Sequence, residues 1–439
     1  MSPATEGAIV LVVTVLVLLS GAPVAFALGA LAVAFLAIFQ GVDSLRVAAE
    51  TLYSGLHDFT LVSIPMFIMM GAAIGSSPAG KDLYEALDRW LYRVPGGLVI
   101  SNIGACGLFA ALTGSSPATC AAIGKMGIPE MRRRGIPDEV ATGSICAGGT
   151  LGILIPPSIT FILYGIATET SIGRLFLAGV FPGLLLLVLF IGWTLLYIWI
   201  TDTRTHAIGF RYTWKQKFEA IPKVAPFLLI VIGVMYVLYG GVATPSEAAG
   251  VGAALCVVLA IIIYRMWHPK AWWDILRDTT RESVMILMII ATSVLFGYML
   301  TSLYLTQSLA AAIAAMDIDR WVLMGLINVL LLVCGCFIPP AAIILMTSPI
   351  LLPIITHAGF DPVWFGVILT INMEIGLITP PVGLNLFVIN AIVPDVPTRT
   401  VLLGSVPYVL CMIMGIIILS MFPEIATWLP DHLMGPVRK

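Results

Sequence analysis

The chain has 439 residues, 59% of them hydrophobic and 10% charged, with a mean hydropathy of +1.04 and a formal net charge of -2. Soluble domains carry roughly 45–50% apolar and about 25% charged residues, so this composition excludes a soluble enzyme, a disordered regulator and a nucleic-acid binder. At about 20 residues per spanning helix, the chain has room for ten or more crossings of a lipid bilayer.

Apolar runs follow one another at 7–39, 60–77, 94–130, 138–168, 175–200, 224–241, 246–264, 283–303, 321–355, 363–393 and 400–422. The first is too long for one straight crossing and contains Gly21 and Pro23. It predicts either one kinked helix or two short ones. The leading MSPATEG lacks a basic residue, so this run reads as a retained span rather than a signal peptide. Several later runs are interrupted at mid-depth by Pro and Gly. Backbone that breaks inside a bilayer must be buried in protein or line a cavity, so the breaks are where function is sought.

Shifting the sequence by 224 residues lays Pro156-Pro157 on Pro380-Pro381, Gly152 on Gly376, Gly135 on Gly359 and Pro129 on Pro353. Ser115-Ser116-Pro117 falls on Pro339-Pro340-Ala341. A shift of 226 places Gly71 on Gly297 and Leu83 on Leu309. This colinear order over roughly 90 residues predicts two structural repeats. They occupy 60–200 and 283–422, with N-terminal scaffold helices at 1–59, two connector helices within 201–282 and a C-terminal tail at 423–439.

Charge gives the orientation. Lys81, Arg89 and Arg93 precede the run 94–130, and Lys125, Arg132, Arg133 and Arg134 crowd its end. The matching loops of the second repeat have only Arg320 before the run and no Lys or Arg at 353–362. Basic residues collect in short cytoplasmic loops. The run 94–130 is therefore expected to enter and leave on the cytoplasmic side, and 321–355 on the outer side. Each then forms a re-entrant hairpin of two half-helices. This frame puts 17 of the 22 basic residues inside, leaving Arg46, Arg174, Arg320, Arg438 and Lys439 outside. The expected fold is an all-α integral membrane protein with inverted-topology repeats, two re-entrant hairpins and two broken helices.

Four breaks result. The hairpin tips are Thr113-Gly114-Ser115-Ser116-Pro117-Ala118-Thr119 and Phe337-Ile338-Pro339-Pro340-Ala341-Ala342. The broken spans are Gly152 to Ser158 and Gly376 to Gly383, each containing its Pro-Pro pair. Unwound helices at the midplane of inverted repeats are the architecture of secondary transporters, whose freed carbonyls coordinate cations and whose half-helix N-termini face anions. Hydroxyls of Ser115, Ser116 and Thr119 can add oxygen ligands, bond a carboxylate, or simply tie helices together. Glu374 is a carboxylate at membrane depth, and such a group is a functional candidate. It can balance a cation, relay a proton or pair with a polar neighbour. Asn372 and Asn385 flank the same break and can serve a substrate or cap the half-helices. With Thr113 and Ser158, these three form the candidate substrate set. Glu247 in Thr244-Pro245-Ser246-Glu247 reads as a helix start.

Other chemistry is argued against. His57, His206, His268, His357 and His432 fall in loops or tails and form no cluster, which disfavours a metal centre or a membrane protease. No phosphate-binding glycine motif is present, which disfavours ATP as the energy source. The seven cysteines, Cys106, Cys120, Cys146, Cys256, Cys334, Cys336 and Cys411, sit in apolar runs and read as packing residues.

Three stretches carry a resemblance. Ser63-Ile64-Pro65-Met66-Phe67 leads through Leu112 to Thr119. PPSITFILYG at 156–165 is followed by SIGRLFLAGVFPG at 171–183. Asn372-Met373-Glu374-Ile375-Gly376 leads into TPPVGLNLFV at 379–388. Across nearly the whole chain the sequence resembles the large membrane subunit, DctM-like, of tripartite ATP-independent periplasmic (TRAP) transporters. The resemblance implies import of a small organic acid across the bacterial inner membrane, with Na+ as the coupling ion. It implies two partners, a periplasmic substrate-binding protein and a small membrane subunit, the latter expected on a separate polypeptide. It implies an elevator-type ion transporter fold, in which a body of hairpins and broken helices slides against a scaffold. The family pattern of sodium ligands carries over to Ser115, Ser116, Thr119, Gly152, Pro156, Gly376 and Thr379. The second tip has no hydroxyl, so its ligands would be backbone carbonyls. The alternative is a stand-alone sodium- or proton-coupled organic-anion carrier that needs no binding protein.

Overall fold

The computed structural model describes residues 3–91, 96–201, 213–308, 311 and 318–436. Arg93, Arg204, His206, Arg211, Leu309, Arg438 and Lys439, used above for topology, exclusion and repeat matching, lie outside the described residues. Among the described residues the secondary structure is entirely helical. Six helices are long and apolar enough to cross a membrane, or seven if one bent pair counts as a span. The protein is a multi-pass membrane protein.

The first apolar run resolves into two helices, α1 (Pro3–Leu19) and α2 (Val24–Gln40), separated where Gly21 takes φ +81° and Pro23 cannot donate a hydrogen bond. Next come α3 (Arg46–Leu56), α4 (Ser63–Gly75) and the charged α5 (Ala79–Leu91). The first hairpin segment is α6 (Gly97–Thr113) and α7 (Ser116–Arg133). The first broken span is α8 (Asp138–Thr150) and α9 (Ile159–Thr168), followed by α10 (Ile172–Thr201). The connector holds α11 (Trp214–Tyr239) and α12 (Pro245–Tyr264). At the start of α12 the Glu247 carboxylate accepts from the Thr244 backbone N–H at 2.8 Å and from its hydroxyl at 2.9 Å, a capping box.

The second half opens with α13 (Pro269–Ser302). This helix runs straight through the boundary expected at 282. Its amphipathic first turns lack the apolar signature from which the boundary was drawn. Then come α14 (Arg320–Gly335), α15 (Pro340–His357), α16 (Pro362–Leu377), α17 (Leu384–Ile392) and α18 (Thr398–Met421). Residues expected as a tail instead form α19 (Glu424–Met434), which carries His432 and packs on α10. Arg174 anchors its end, donating to Asp431 Oδ1 at 3.1 Å and to the Gly435 carbonyl. A short amphipathic helix with Pro430 inside it gives too weak a period to be read from sequence.

The two halves correspond in order and nearly in length: 17 and 16 residues for α6 and α14, 18 each for α7 and α15, 10 and 9 for α9 and α17. Gly135 and Gly359 both take φ +79°, and Pro156-Pro157 and Pro380-Pro381 are both cis. Packing is reciprocal. α7 lies on α17 while α15 lies on α9, and α8 lies on α18 while α16 lies on α10. The α8–α18 approach is backbone to backbone. A Cβ on Gly143 would sit 2.7 Å from the Gly404 Cα, and one on Gly404 would strike the Glu139 carbonyl. A large apolar core joins these helices to α4, α5, α11 and α12, and a smaller cluster ties α1, α2 and α3 to α13.

Candidate functional site

The first tip is a dense knot of hydroxyls. α6 ends at Gly114, whose φ of +60° suits a residue without Cβ. The turn brings Thr113 Oγ1 within 2.7 Å of Thr119 Oγ1, and Thr119 donates to the Ser115 carbonyl at 2.9 Å. Thr113, Ser116 and Thr119 are all buried. The first broken span presses directly on this knot. A Cβ on Gly152 would lie 2.5 Å from Ser115 O and 2.9 Å from Thr119 Oγ1, and one on Gly114 would lie 2.8 Å from Pro157 O. Pro156 is buried beside it. Ser158 donates to the Ile153 carbonyl at 2.5 Å and accepts from the Phe161 N–H at 3.4 Å. Its hydroxyl therefore holds the break and caps α9.

The second tip repeats the glycine-to-carbonyl approach, on a longer turn and with different chemistry. A Cβ on Gly376 would strike the Gly335 carbonyl, as one on Gly152 strikes Ser115. The Val382 N–H donates to the Cys336 carbonyl at 3.1 Å, joining break to tip. The Thr379 hydroxyl donates back to Ile375 O at 2.6 Å. Pro380 and Pro381 are exposed, as are Phe337 at 46% and Val382 at 37%. The Pro156-Pro157 pair is buried.

Three of the expected substrate residues sit around this second break, fully buried. Asn372 Nδ2 donates to Asn328 Oδ1 at 2.6 Å and to Ile368 O at 2.9 Å. Asn328 was missed from sequence, although an amide inside the apolar run 321–355 was a readable signal. Asn385 Nδ2 donates to Ser116 Oγ at 2.8 Å and to Cys146 O at 3.1 Å. The side-chain oxygens of Asn372, Glu374 and Asn385 accept no hydrogen bond. An ionised carboxylate buried without a partner is costly. Acceptor oxygens with nothing to accept from are what a cation or a donor-bearing ligand would satisfy.

The sequence-derived residues thus fall into separate groups. Thr113, Ser115, Thr119 and Gly152 converge on the first tip. Gly376 and Asn372 share the Gly335 surface at the second, where a Cβ on Gly335 would sit 3.5 Å from Asn372 O. Ser116 turns to Asn385. No hydrogen bond joins Glu374 to any of them. Among the described residues no group of three or more His, Cys, Asp or Glu side chains could hold a metal ion, so oxygen donors for a cation would be carbonyls, hydroxyls and amides.

Comparison with known proteins agrees with this architecture. The family described as tripartite ATP-independent periplasmic transporter, DctM component, matches residues 11–425. The C4-dicarboxylate TRAP transporter large permease protein DctM of Pseudomonas aeruginosa is 38% identical over 392 residues, covering 89% of this chain and 91% of that one. Its namesake from Vibrio cholerae is 34% identical over 451 residues, covering 98% of each. The crystal structure of the Alcanivorax borkumensis YdaH transporter has a TM-score of 0.62 at 17% identity over 90% of each chain, a likeness of fold alone. With a family match spanning nearly its whole length, this chain belongs to the DctM component of the TRAP transporters and is a transporter permease subunit rather than an enzyme.

Proposed function

We propose that the chain is the large membrane permease subunit of a sodium-driven, binding-protein-dependent transporter that imports a small organic acid across the bacterial inner membrane by an elevator mechanism. The observation that carries this reading is the reciprocal packing of two helix pairs on two broken spans, α7 on α17 and α15 on α9. A pair of breaks built this way gives two half-sites that travel as one body. Sodium would supply the positive charge that offsets an organic anion in a low-dielectric site. At the first tip, Ser115 O, the Thr113 and Thr119 hydroxyls and the carbonyls around Gly152 and Pro156 offer the hard oxygen donors such a cation takes. At the second, Gly376, Thr379 and the Gly335 and Cys336 carbonyls would do so. The unpartnered oxygens of Asn372, Glu374 and Asn385 are acceptors that would take hydroxyl or carboxyl protons of the acid or share its accompanying cation. The names of the two relatives make a C4-dicarboxylate such as succinate the first substrate to try.

The test is uptake of labelled succinate and other small acids into proteoliposomes holding this chain, its small membrane subunit and its periplasmic binding protein. An inward sodium gradient should drive uptake, and an equal potassium gradient should not. Uptake that survives omission of the binding protein would replace this reading with a stand-alone carrier. Uptake indifferent to sodium would remove the coupling ion.

A further inference from the structure

The two half-sites are distant in sequence, and one side chain joins them. Asn385 stands in the first turn of α17, two residues after Gly383 (φ +53°), which ends the second break. Its amide donates to Ser116 Oγ, at the start of α7, at 2.8 Å and to Cys146 O, on α8, at 3.1 Å. All three residues are fully buried. One amide therefore spans the first tip, the first broken span and the second break. Its Oδ1 accepts nothing, so the group is held through its donors alone.

Tyr164 on α9 likewise donates to the Pro362 carbonyl of α16 at 2.7 Å, but the bond to the tip has no counterpart in the other half. The residue 224 positions before Asn385 is Phe161, and the residue matching Ser116 is Pro340. Phe161 is buried on α9, the helix against which α15 packs, and offers no side-chain donor. Other polar side chains also cross between the halves, Thr194 to Tyr408 and Arg132 to Asp395 among them, but among the described residues only Asn385 bonds a hairpin-tip side chain to the break of the other half.

We propose that Asn385 is a positioning residue that holds the first tip in register with the second break, so that filling one half-site prepares the other. This deepens the sodium reading above and rests on it. Ser116 is then a relay to the ion site at Ser115 and Thr119, not itself a ligand. A break that reorders around a ligand shifts the start of α17, and the Asn385 amide carries that shift to Ser116. Coupling of this kind is reciprocal, so cation binding at the first tip must also favour ligand binding at the second.

The experiment is thermal unfolding of the purified full-length chain, titrating sodium chloride against potassium chloride at constant ionic strength. The wild type should show a sodium-induced rise steeper than a single site gives. Asn385→Ala should flatten it to single-site form and raise the half-saturating sodium about tenfold, within the usual span of coupling. Ser116→Ala should do the same, and the double variant should be no worse than either single one. Asn385→Asp keeps the size and can accept from the Ser116 hydroxyl but cannot donate to Cys146 O, so it should fall between. It also serves if the alanine variant does not fold. An Asn385 variant that lowers the unfolding temperature in potassium yet keeps the wild-type sodium curve would make Asn385 a structural staple and overturn the proposal. So would additive effects of Ser116→Ala and Asn385→Ala, or a wild-type curve of single-site form. A wild type with no sodium response at all would instead sink the sodium reading on which the proposal stands.

Discussion

The two hairpin tips share one close backbone contact and differ in nearly everything else. Each has a glycine of the neighbouring broken span, Gly152 or Gly376, pressed onto its turn so closely that a methyl group would strike a carbonyl. Yet the first tip is buried and laced with hydroxyls, while the second is exposed and carries Phe337, Ile338 and Pro339. Geometry has been kept in both halves while side-chain chemistry has been divided between them. On the proposed reading the backbone contacts define two half-sites, and the side chains decide what each half would bind.

If the shared backbone is what matters most, the glycines should be equally intolerant. Gly152→Ala and Gly376→Ala each force a Cβ into main chain that cannot move aside. Overpacking of this kind costs about 1–3 kcal/mol. Both variants should lower the unfolding temperature and abolish succinate uptake by the assembled transporter. Tolerance at Gly376 alone would show that the second tip is looser than its partner.

The chemical difference is sharpened by removing hydroxyls. Thr113→Val with Thr119→Val deletes the 2.7 Å contact of the first tip and keeps its volume. With about 1 kcal/mol net per hydrogen bond, the pair should raise half-saturating sodium about fivefold to tenfold in the same unfolding titration. Thr379→Val removes one hydroxyl, against two at the first tip, so its effect should be smaller. The reverse order would move the cation to the second tip.

Exposure gives a third contrast. Val382→Cys should react with a small maleimide much faster than Ser158→Cys, because position 382 is exposed and position 158 is fully buried. Equal rates in the purified chain would mean the two breaks are equally open in solution.

The smallest effect concerns the loop that follows the second broken span. Arg132, at the end of α7, bonds Asp395 at 2.6 Å and Asp138 at 2.9 Å. The hydrogen bond from Arg132 holds the Asp395 carboxylate below its ordinary range. A depressed carboxylate adds stability above its unfolded value, and that stability is lost as pH falls through the folded value. The unfolding temperature should therefore drop slightly more for the wild type than for Arg132→Ala between neutral pH and pH about 3. Both groups are partly or largely exposed, so a large difference would contradict the geometry.

Much of this arrangement was legible in the sequence. The Pro-Pro pairs mark the broken spans because two adjacent prolines remove two consecutive backbone donors from a helix. Gly114, Gly152 and Gly376 stand where main chain meets main chain. The Thr244–Glu247 helix start was readable because capping is local. What stayed hidden was tertiary. Nothing within a few residues of Asn385 says that its amide reaches Ser116, 269 positions away. Nor does the second tip's composition say it is exposed, because an apolar turn in a membrane protein can face lipid or protein alike. The short helices α5 and α19 escaped because their polarity broke the apolar runs used to find spans.

The α8–α18 contact has a consequence for heredity. Gly143 and Gly404 lie 261 positions apart, yet what a side chain at either would strike on the other helix is main chain, that of Gly404 and of Glu139. A clash with a side chain can be relieved by a second mutation that shrinks it. A clash with backbone cannot. These two positions therefore offer no compensatory route, and lineages that alter the surrounding helices should do so while leaving both of them untouched.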